Sequence, residues 1–196
     1  MVEYTPPYAE YEFLFNEVFD VYDSISGIDH EEFDADFVRM IMEGWGEYCT
    51  EVLLPLNEIG DREGLTFKAG EVTMPTGFVD AWKEGVEAGW YAAICKPEHG
   101  GMGLPHVFRN AMDEFAISTN MALSVVPALG LGVYDLVTGH GTNELIAHYS
   151  ANLATGLSFG TLLHPTPAAR LACLLYPSVP AVESTRLIYD TPPLRL

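Results

Sequence analysis

The sequence predicts an all-α protein, built as a bundle of about five helices. Three observations indicate this fold class. Apolar residues recur every three or four positions over long stretches, which is the spacing that lines one face of a helix. The alternation of apolar and polar residues that is typical of strands is confined to residues 65–74. Hydrophobic residues make up 48% of the 196-residue chain, which is enough for one sizeable core.

Composition divides the chain into three predicted parts: an aromatic, acidic arm over residues 1–34, a helical domain over 35–156 and an irregular tail over 157–196. Residues 1–156 hold 26 of the 28 acidic residues, whereas the tail holds 6 of the 13 prolines. We expect the tail to be disordered. Its composition fits a frameshifted end, a degenerate remnant or a real, specialised tail. The arm is expected to pack on the helical domain through its aromatic side chains, and docking on a partner subunit is the alternative.

The first long helix is predicted from Ala35 to about Ile59. Asp34 precedes it and suits the N-cap position. Pro55 is expected to kink the helix near its end, and the glycines of residues 60–64 to stop it. A shorter amphipathic helix is expected in the arm, at about residues 14–23. The apolar stripe of the long helix comprises Phe37, Ile41, Trp45, Tyr48, Val52 and Leu56.

The rest of the domain is predicted as a small hairpin, a loop and four more helices. The hairpin covers residues 65–74 and turns at Lys68-Ala69-Gly70. The loop covers residues 96–103, where three glycines and Pro97 interrupt any helical pattern. The four helices are expected at about residues 77–89, 105–118, 121–138 and 143–154.

The apolar run from Ile117 to Val133 raises the question of a membrane span. It is shorter than the roughly 20 residues that cross a bilayer, and Ser118, Thr119 and Asn120 interrupt it. Asp135 follows directly. We therefore predict a helix buried on all sides within the bundle, and no membrane span.

Charge and cysteine content exclude several function classes. The formal net charge of -19 repels nucleic acid and anionic membranes, so a nucleic-acid binder is excluded. The three cysteines form no C-x-x-C pair, which argues against a zinc site or a disulfide framework. The acidic N-terminus does not resemble a signal peptide, and a reducing, cytoplasmic location is expected.

The residues alone do not assemble into a complete active site. No catalytic, metal-binding or nucleotide-binding set is predicted, and His99, His106, His140 and His148 are interpreted as surface or capping residues. Cys95 lies beside Lys96, which could depress the pKa of its thiol. A buried, unreactive cysteine is the interpretation we favour.

The order of short motifs is more informative than any one of them. The loop P-E-H-G-G-M-G at residues 97–103 precedes a helix with Asp113-Glu114. An apolar helix, His140-Gly141 and a final helix ending at Gly156 then follow. This order resembles the N-terminal helical domain of the acyl-CoA dehydrogenases, over roughly residues 3–156. Two further segments resemble the corresponding segments of the subgroup that acts on 3-methylthiopropionyl-CoA. They are Pro55-Leu56-Asn57 and the glycine segment 60–64.

The resemblance implies an FAD-dependent oxidoreductase that introduces an α,β double bond into an acyl-CoA thioester and passes electrons to an electron-transfer flavoprotein. It also implies a homo-oligomer in which a middle β-domain and a C-terminal bundle hold FAD and a glutamate base. Within the present domain it implies that Ala122, Leu123 and Val126 line the path of the acyl chain. The alternative is that all three are ordinary core residues.

The tail departs from the family pattern. Gly160, Thr161 and Pro167 fall in register, but Pro165 stands where the family has a flavin-contacting threonine, and nothing matches beyond Arg170. The chain is therefore expected to be truncated before the β-domain. Alone, it is expected to bind no FAD and to catalyse nothing. The alternative is a non-catalytic helical module that pairs with a homologous subunit.

Overall fold

The computed structural model describes residues 3–24 and 33–160, and this part of the chain is all-α apart from one hairpin. The predicted fold class is therefore confirmed. The limits of the three parts stay predictions, and from residue 161 onward the predicted disordered tail lies outside the described residues. The helices are α1 (Tyr8–Phe13), α2 (Val21–Ser24), α3 (Ala35–Tyr48), α4 (Leu54–Glu63), α5 (Phe78–Glu87), α6 (His106–His140) and α7 (Asn143–Ala154).

The long helix predicted after Asp34 is split into α3 and α4. Asp34 is its N-cap, because Oδ1 accepts a hydrogen bond from the Phe37 amide at 2.8 Å. A π-helical turn, Cys49–Leu53, joins the two helices. Pro55 stands in the first turn of α4 and has no amide hydrogen, so the regular hydrogen-bond ladder is interrupted there. The helix continues through Gly60 and ends at Glu63, slightly later than predicted.

The predicted hairpin is present. Strands β1 (Thr66–Lys68) and β2 (Glu71–Thr73) pair antiparallel, with Phe67 opposite Val72. The two turn residues, Ala69 and Gly70, have φ of 55° and 87°, which is the left-handed backbone that a two-residue hairpin turn requires. All six strand residues are exposed, so the hairpin projects from the bundle.

The third and fourth predicted helices form one long element, α6, with a break at Asn120. Asn120 has φ -154° and ψ 86°, outside the helical region. Its Oδ1 accepts a hydrogen bond from the Leu123 amide at 3.0 Å, as an N-cap does for the second half of the helix. Its Nδ2 donates to the carbonyl of Leu53 at 3.2 Å. The predicted boundary is therefore correct, and a buried amide fixes it.

The prediction that this apolar helix is buried on all sides is wrong. Along its most apolar 18 residues only 28% of the positions are buried. The helix is long and apolar enough to cross a membrane by length and composition, but such a test is weak evidence by itself. Helices α3, α4 and α7 pack against it, and part of its surface stays open. Its large exposed side chains are Ile117, Met121, Val125 and Leu136.

The arm packs on the helical domain, as predicted. The rings of Tyr8 and Tyr11 each lie 5.7 Å from that of Phe115 on α6, and Phe15 lies 5.0 Å from Phe108. The arm helix begins at Tyr8, earlier than the predicted residue 14, and passes through a π-helical turn at Leu14–Val18. Aromatic contacts therefore join the arm to the main hydrophobic core.

Candidate functional site

The structure places the three predicted acyl-path residues in different surroundings. All three lie in the first turns after the break at Asn120. Leu123 is only 4% exposed and belongs to the main core. Ala122 is exposed and Val126 is half-buried, one turn further along the same side of α6. The accessible pair is therefore Ala122 and Val126, and the acyl-path role of all three residues stays a prediction.

Val126 borders a small cavity of about 10 Å³, enough for about one water molecule. Aromatic rings form much of its wall. Trp82 stacks on Tyr91 with ring centres 4.4 Å apart, and Phe159 lies 5.2 Å from Trp82. In this arrangement the cavity is too small for an acyl chain.

Phe159 was not found by sequence reasoning. It follows Gly156, where the predicted tail begins, yet the segment 157–160 returns across α5 and α6. Gly156 permits this return, because its φ is 73° and an added Cβ would lie 2.9 Å from Val86 Cγ2. The aromatic residue after the glycine was the available signal.

Tyr48 and Tyr91 form a buried pair of hydroxyls beside this cavity wall. Tyr48 donates to the carbonyl of Ala81 at 2.7 Å, which leaves Tyr91 to donate to Tyr48 at 3.0 Å. Burial raises the pKa of Tyr48 to about 12, and it raises the pKa of Tyr91 further still. Both phenols are neutral near neutral pH and hold α3 to α5.

His99 has a structural role. The hydroxyl of Tyr134 accepts a hydrogen bond from the Lys96 amide at 3.0 Å and lies 2.8 Å from His99 Nδ1. Because the hydroxyl already accepts from the amide, its own proton is available to Nδ1. The histidine therefore fastens the glycine-rich loop to α6.

The two described cysteines are inert. Cys49 and Cys95 are fully buried, and burial raises the pKa of each thiol to about 12. The hypothesis that Lys96 depresses the pKa of Cys95 is therefore wrong, and the interpretation as a buried cysteine is confirmed. Among the described residues, no group of three or more histidine, cysteine or acidic side chains could hold a metal ion.

A larger cleft, of about 60 Å³, lies between the arm and α3. Tyr11 donates a 2.5 Å hydrogen bond to Glu114, and Arg39 forms an ion pair with Glu12 of the arm. These polar contacts lie beside the aromatic ones and place the arm on the domain. The cleft is further lined by Tyr8, Phe15, Tyr22 and Met42.

Comparison with known proteins indicates the family of this chain. Over 164 residues, 83% of its length, the chain is 34% identical to 3-methylmercaptopropionyl-CoA dehydrogenase from Ruegeria pomeroyi. The chain is related to the acyl-CoA dehydrogenases. The resemblance drawn from the ordered motifs is thereby confirmed. A scan against models of protein families finds no match.

The chain spans 28% of the length of that acyl-CoA dehydrogenase. The described residues do not suit FAD. Cavities of about 60 and 10 Å³ are far below the several hundred Å³ that a bound cofactor occupies. The pyrophosphate of FAD needs free backbone amides or basic side chains to bind it. Of the six Lys and Arg side chains among the described residues, four lie against a carboxylate: Arg39, Arg62, Lys96 and Arg109. The other two, Lys68 and Lys83, line neither cavity. No step of flavin chemistry is therefore assigned to the described residues.

Proposed function

We propose that this chain forms the N-terminal helical part of an FAD-dependent acyl-CoA dehydrogenase. The observation that carries this proposal is the 34% identity over 83% of the chain. The all-α fold supports it. The complete enzyme would be a cytoplasmic homo-oligomer that dehydrogenates an acyl-CoA thioester and passes the electrons to an electron-transfer flavoprotein.

The contribution proposed for this chain is a wall of the acyl path. Ala122 and Val126 lie one turn apart on an accessible side of α6 and offer only small, apolar side chains. Such a wall suits an aliphatic or thioether chain, whose burial is worth about 0.8 kcal/mol for each methylene. Leu123 packs into the core behind them and fixes the orientation of that turn.

Alone, the chain is proposed to be inactive and to bind no FAD. The glutamate base and the flavin contacts that the resemblance implies belong to the parts of the enzyme that follow this domain. Removing the α-proton of a thioester requires a positioned base, and the flavin accepts the hydride. The domain described here would supply shape and apolar surface.

The proposal is tested with a chimera. Residues 1–156 are joined to the portion of the Ruegeria pomeroyi enzyme that follows the position aligned with Gly156. The expected result is a yellow protein that reduces an artificial electron acceptor in the presence of an acyl-CoA. The 196-residue chain alone is the control, and it is expected to be colourless and inactive. A folded, flavin-loaded chimera that dehydrogenates no acyl-CoA would contradict the proposal.

A second candidate is a helical module that pairs with a homologous subunit without contributing to catalysis. The exposed apolar side of α6 favours it, since such a surface is usually covered by another protein segment. Activity of the chimera and complex formation by the chain separate the two candidates. An active chimera supports the first candidate, and an inactive chimera together with a stable complex between the 196-residue chain and a full-length homologous subunit supports the second.

A further inference from the structure

The proposed function makes no use of the cleft between the arm and α3, which we name the arm cleft. Four aromatic residues of the arm line it, and they follow one another at intervals of three, four and seven residues. These residues are Tyr8, Tyr11, Phe15 and Tyr22. Phe115 of α6 adds a fifth ring to the lining. Aromatic side chains therefore line much of a volume of about 60 Å³.

The rings of the arm cleft form one connected wall. Tyr11 lies 5.6 Å from Phe15 and 5.7 Å from Phe115, measured between ring centres. Tyr22 lies 5.9 Å from Phe108, which also contacts Phe15. Because Phe108 and Phe115 are fully buried, this wall is anchored in the main core. The positions of the rings are therefore fixed by packing.

The polar part of the lining carries an excess of negative charge. It contains two carboxylates, Glu12 and Glu43, and one basic side chain, Arg39. The guanidinium of Arg39 forms an ion pair with Glu12 and lies 3.9 Å from Asp36. Glu43 forms no ion pair with any residue that the structure describes. The carboxylate of Glu43 is therefore available to a positively charged group.

Two phenols in the lining respond to the same negative charge. Burial raises the pKa of Tyr22 to about 12, and the nearby carboxylates of Asp34 and Glu12 add to the rise. Burial also raises the pKa of Tyr8, and Glu43 adds to that rise. Carboxylates that disfavour a phenolate favour a cation in the same place. The arm cleft thus combines neutral aromatic rings with negative surroundings.

This combination selects one class of ligand. The face of a tyrosine or phenylalanine ring attracts a cation, and cages of such rings recognise quaternary ammonium groups. A hard cation such as Mg²⁺ instead prefers several oxygen ligands, and an anion is disfavoured by the carboxylates. The volume of about 60 Å³ corresponds to roughly four water-sized volumes. That space suits a nitrogen atom with its methyl groups.

We propose that the arm cleft binds the quaternary ammonium group of a small, free cation of the choline type. The aromatic rings contact the methyl groups, and Glu43 supplies the opposite charge. The site is separate from the acyl path, because neither Ala122 nor Val126 lines the arm cleft. The inference therefore goes beyond the proposed function, and it is tested on the 196-residue chain without a chimera.

The binding test compares choline with dimethylbutanol, which has the same shape but carries no charge. Each compound is titrated into the chain at low, matched ionic strength, and proton NMR follows its methyl resonance. We expect choline to bind at least about tenfold more tightly than the alcohol, because the rings and Glu43 interact with its charge. Absence of choline binding, or equal binding of the two compounds, would overturn the proposal.

Two substitutions locate the site. Glu43→Gln should weaken choline binding by about three- to tenfold and leave binding of the alcohol unchanged. Glu87→Gln is the matched control, because it removes the same charge from an exposed position on α5 that does not line the arm cleft. Tyr22→Leu should weaken choline binding by a similar factor, and Phe67→Leu on the exposed hairpin should have no effect.

Choline binding that Glu43→Gln leaves unchanged would overturn the assignment to the arm cleft, even if Tyr22→Leu prevents folding. An acetylated trimethyllysine amide distinguishes the two sources of a quaternary ammonium group. Tighter binding of choline supports a free cation as the ligand. Tighter binding of the trimethyllysine amide would overturn that choice and identify a methylated protein side chain.

Discussion

At the scale of single residues, Val126 and Phe159 illustrate how neighbouring side chains determine what a position can do. Val126 is half-buried beside a cavity of about 10 Å³, and Phe159 forms part of the same wall. A residue with free space on one side and aromatic rings on the other can limit the size of a bound group. Leu123, three positions earlier, has no such freedom because the core surrounds it.

Replacing Val126 with Trp in the chimera is expected to shorten the acyl chains that the enzyme accepts. The indole would occupy space that a longer chain needs, so kcat/KM should fall more steeply as the acyl-CoA lengthens. Each excluded methylene costs about 0.8 kcal/mol, close to a fourfold loss. The measurement is kcat/KM over a series of acyl-CoAs.

The matched control is Val72→Trp, which places the same indole on an exposed valine of the hairpin. It should leave the dependence on chain length unchanged. If Val126→Trp lowers kcat/KM by the same factor for every substrate, or only prevents folding, then Val126 serves the core and has no part in the acyl path.

At the scale of elements, one buried side-chain amide anchors the break in α6. Asn120 is 1% exposed, and it connects α6 to the π-helical turn before α4 through the carbonyl of Leu53. The same side chain begins the second half of α6 through the amide of Leu123. The helix therefore breaks at a defined residue and the break is anchored.

Asn120→Ala should destabilise the fold by about 1–3 kcal/mol, since it leaves a buried carbonyl and a buried amide without their partner. The free energy of unfolding is measured with urea. Asn110→Ala is the control, because Asn110 is an exposed asparagine on the same helix and should change stability by less than about 0.5 kcal/mol. Similar losses in both variants would show that the Asn120 side chain does not anchor the break.

The elements were largely predictable because their signals are local. The cap at Asp34, the turn at Ala69-Gly70 and the stop after Ala154 all depend on a few adjacent residues. The π-helical turn at Cys49–Leu53 was not predicted, because only Pro55 hints at it and a proline alone also fits a simple kink. The burial of α6 was overestimated for a different reason. Periodicity shows that a helix is apolar, but it does not show how many neighbours cover it.

The candidate site was predictable only in part. The ordered motifs identified the family, and the accessible positions of Ala122 and Val126 agree with the role inferred for them, which stays a prediction. Phe159 was missed because the composition changes at Gly156, whereas the chain stays packed to Gly160, with Phe159 against Trp82 and Gly160 against Val133. A change in composition marks a change in sequence and does not locate the last packed side chain.

At the scale of the whole molecule, the core holds several acids that burial keeps neutral. Burial raises the pKa of Tyr48 from 10.0 to about 12, and it raises the pKa of Cys49 and Cys95 from 9.0 to about 12. In the unfolded chain these groups lose their protons at lower pH than in the folded chain. The unfolded state is therefore favoured progressively as pH rises.

We expect the stability to be unaffected by these groups below about pH 9 and to fall between about pH 9 and 12, the range between the ordinary and the raised pKa values. The free energy of unfolding is measured with urea at increasing pH. Cys49→Ala should flatten the slope, because it removes one buried acid, although it also leaves a small cavity. A slope that is the same in both proteins would show that the Cys49 thiol does not have a raised pKa.

The hairpin offers a practical consequence for handling the protein. All six of its strand residues are exposed, and a Cβ added at Gly70 would meet no atom within 4 Å. Loop tips of this kind tolerate inserted sequence well. An affinity tag or a fluorophore placed between Ala69 and Gly70 would leave the core, the arm and the α6 surface untouched. Both chain ends would then stay free, so that fusion partners could be joined without a competing label.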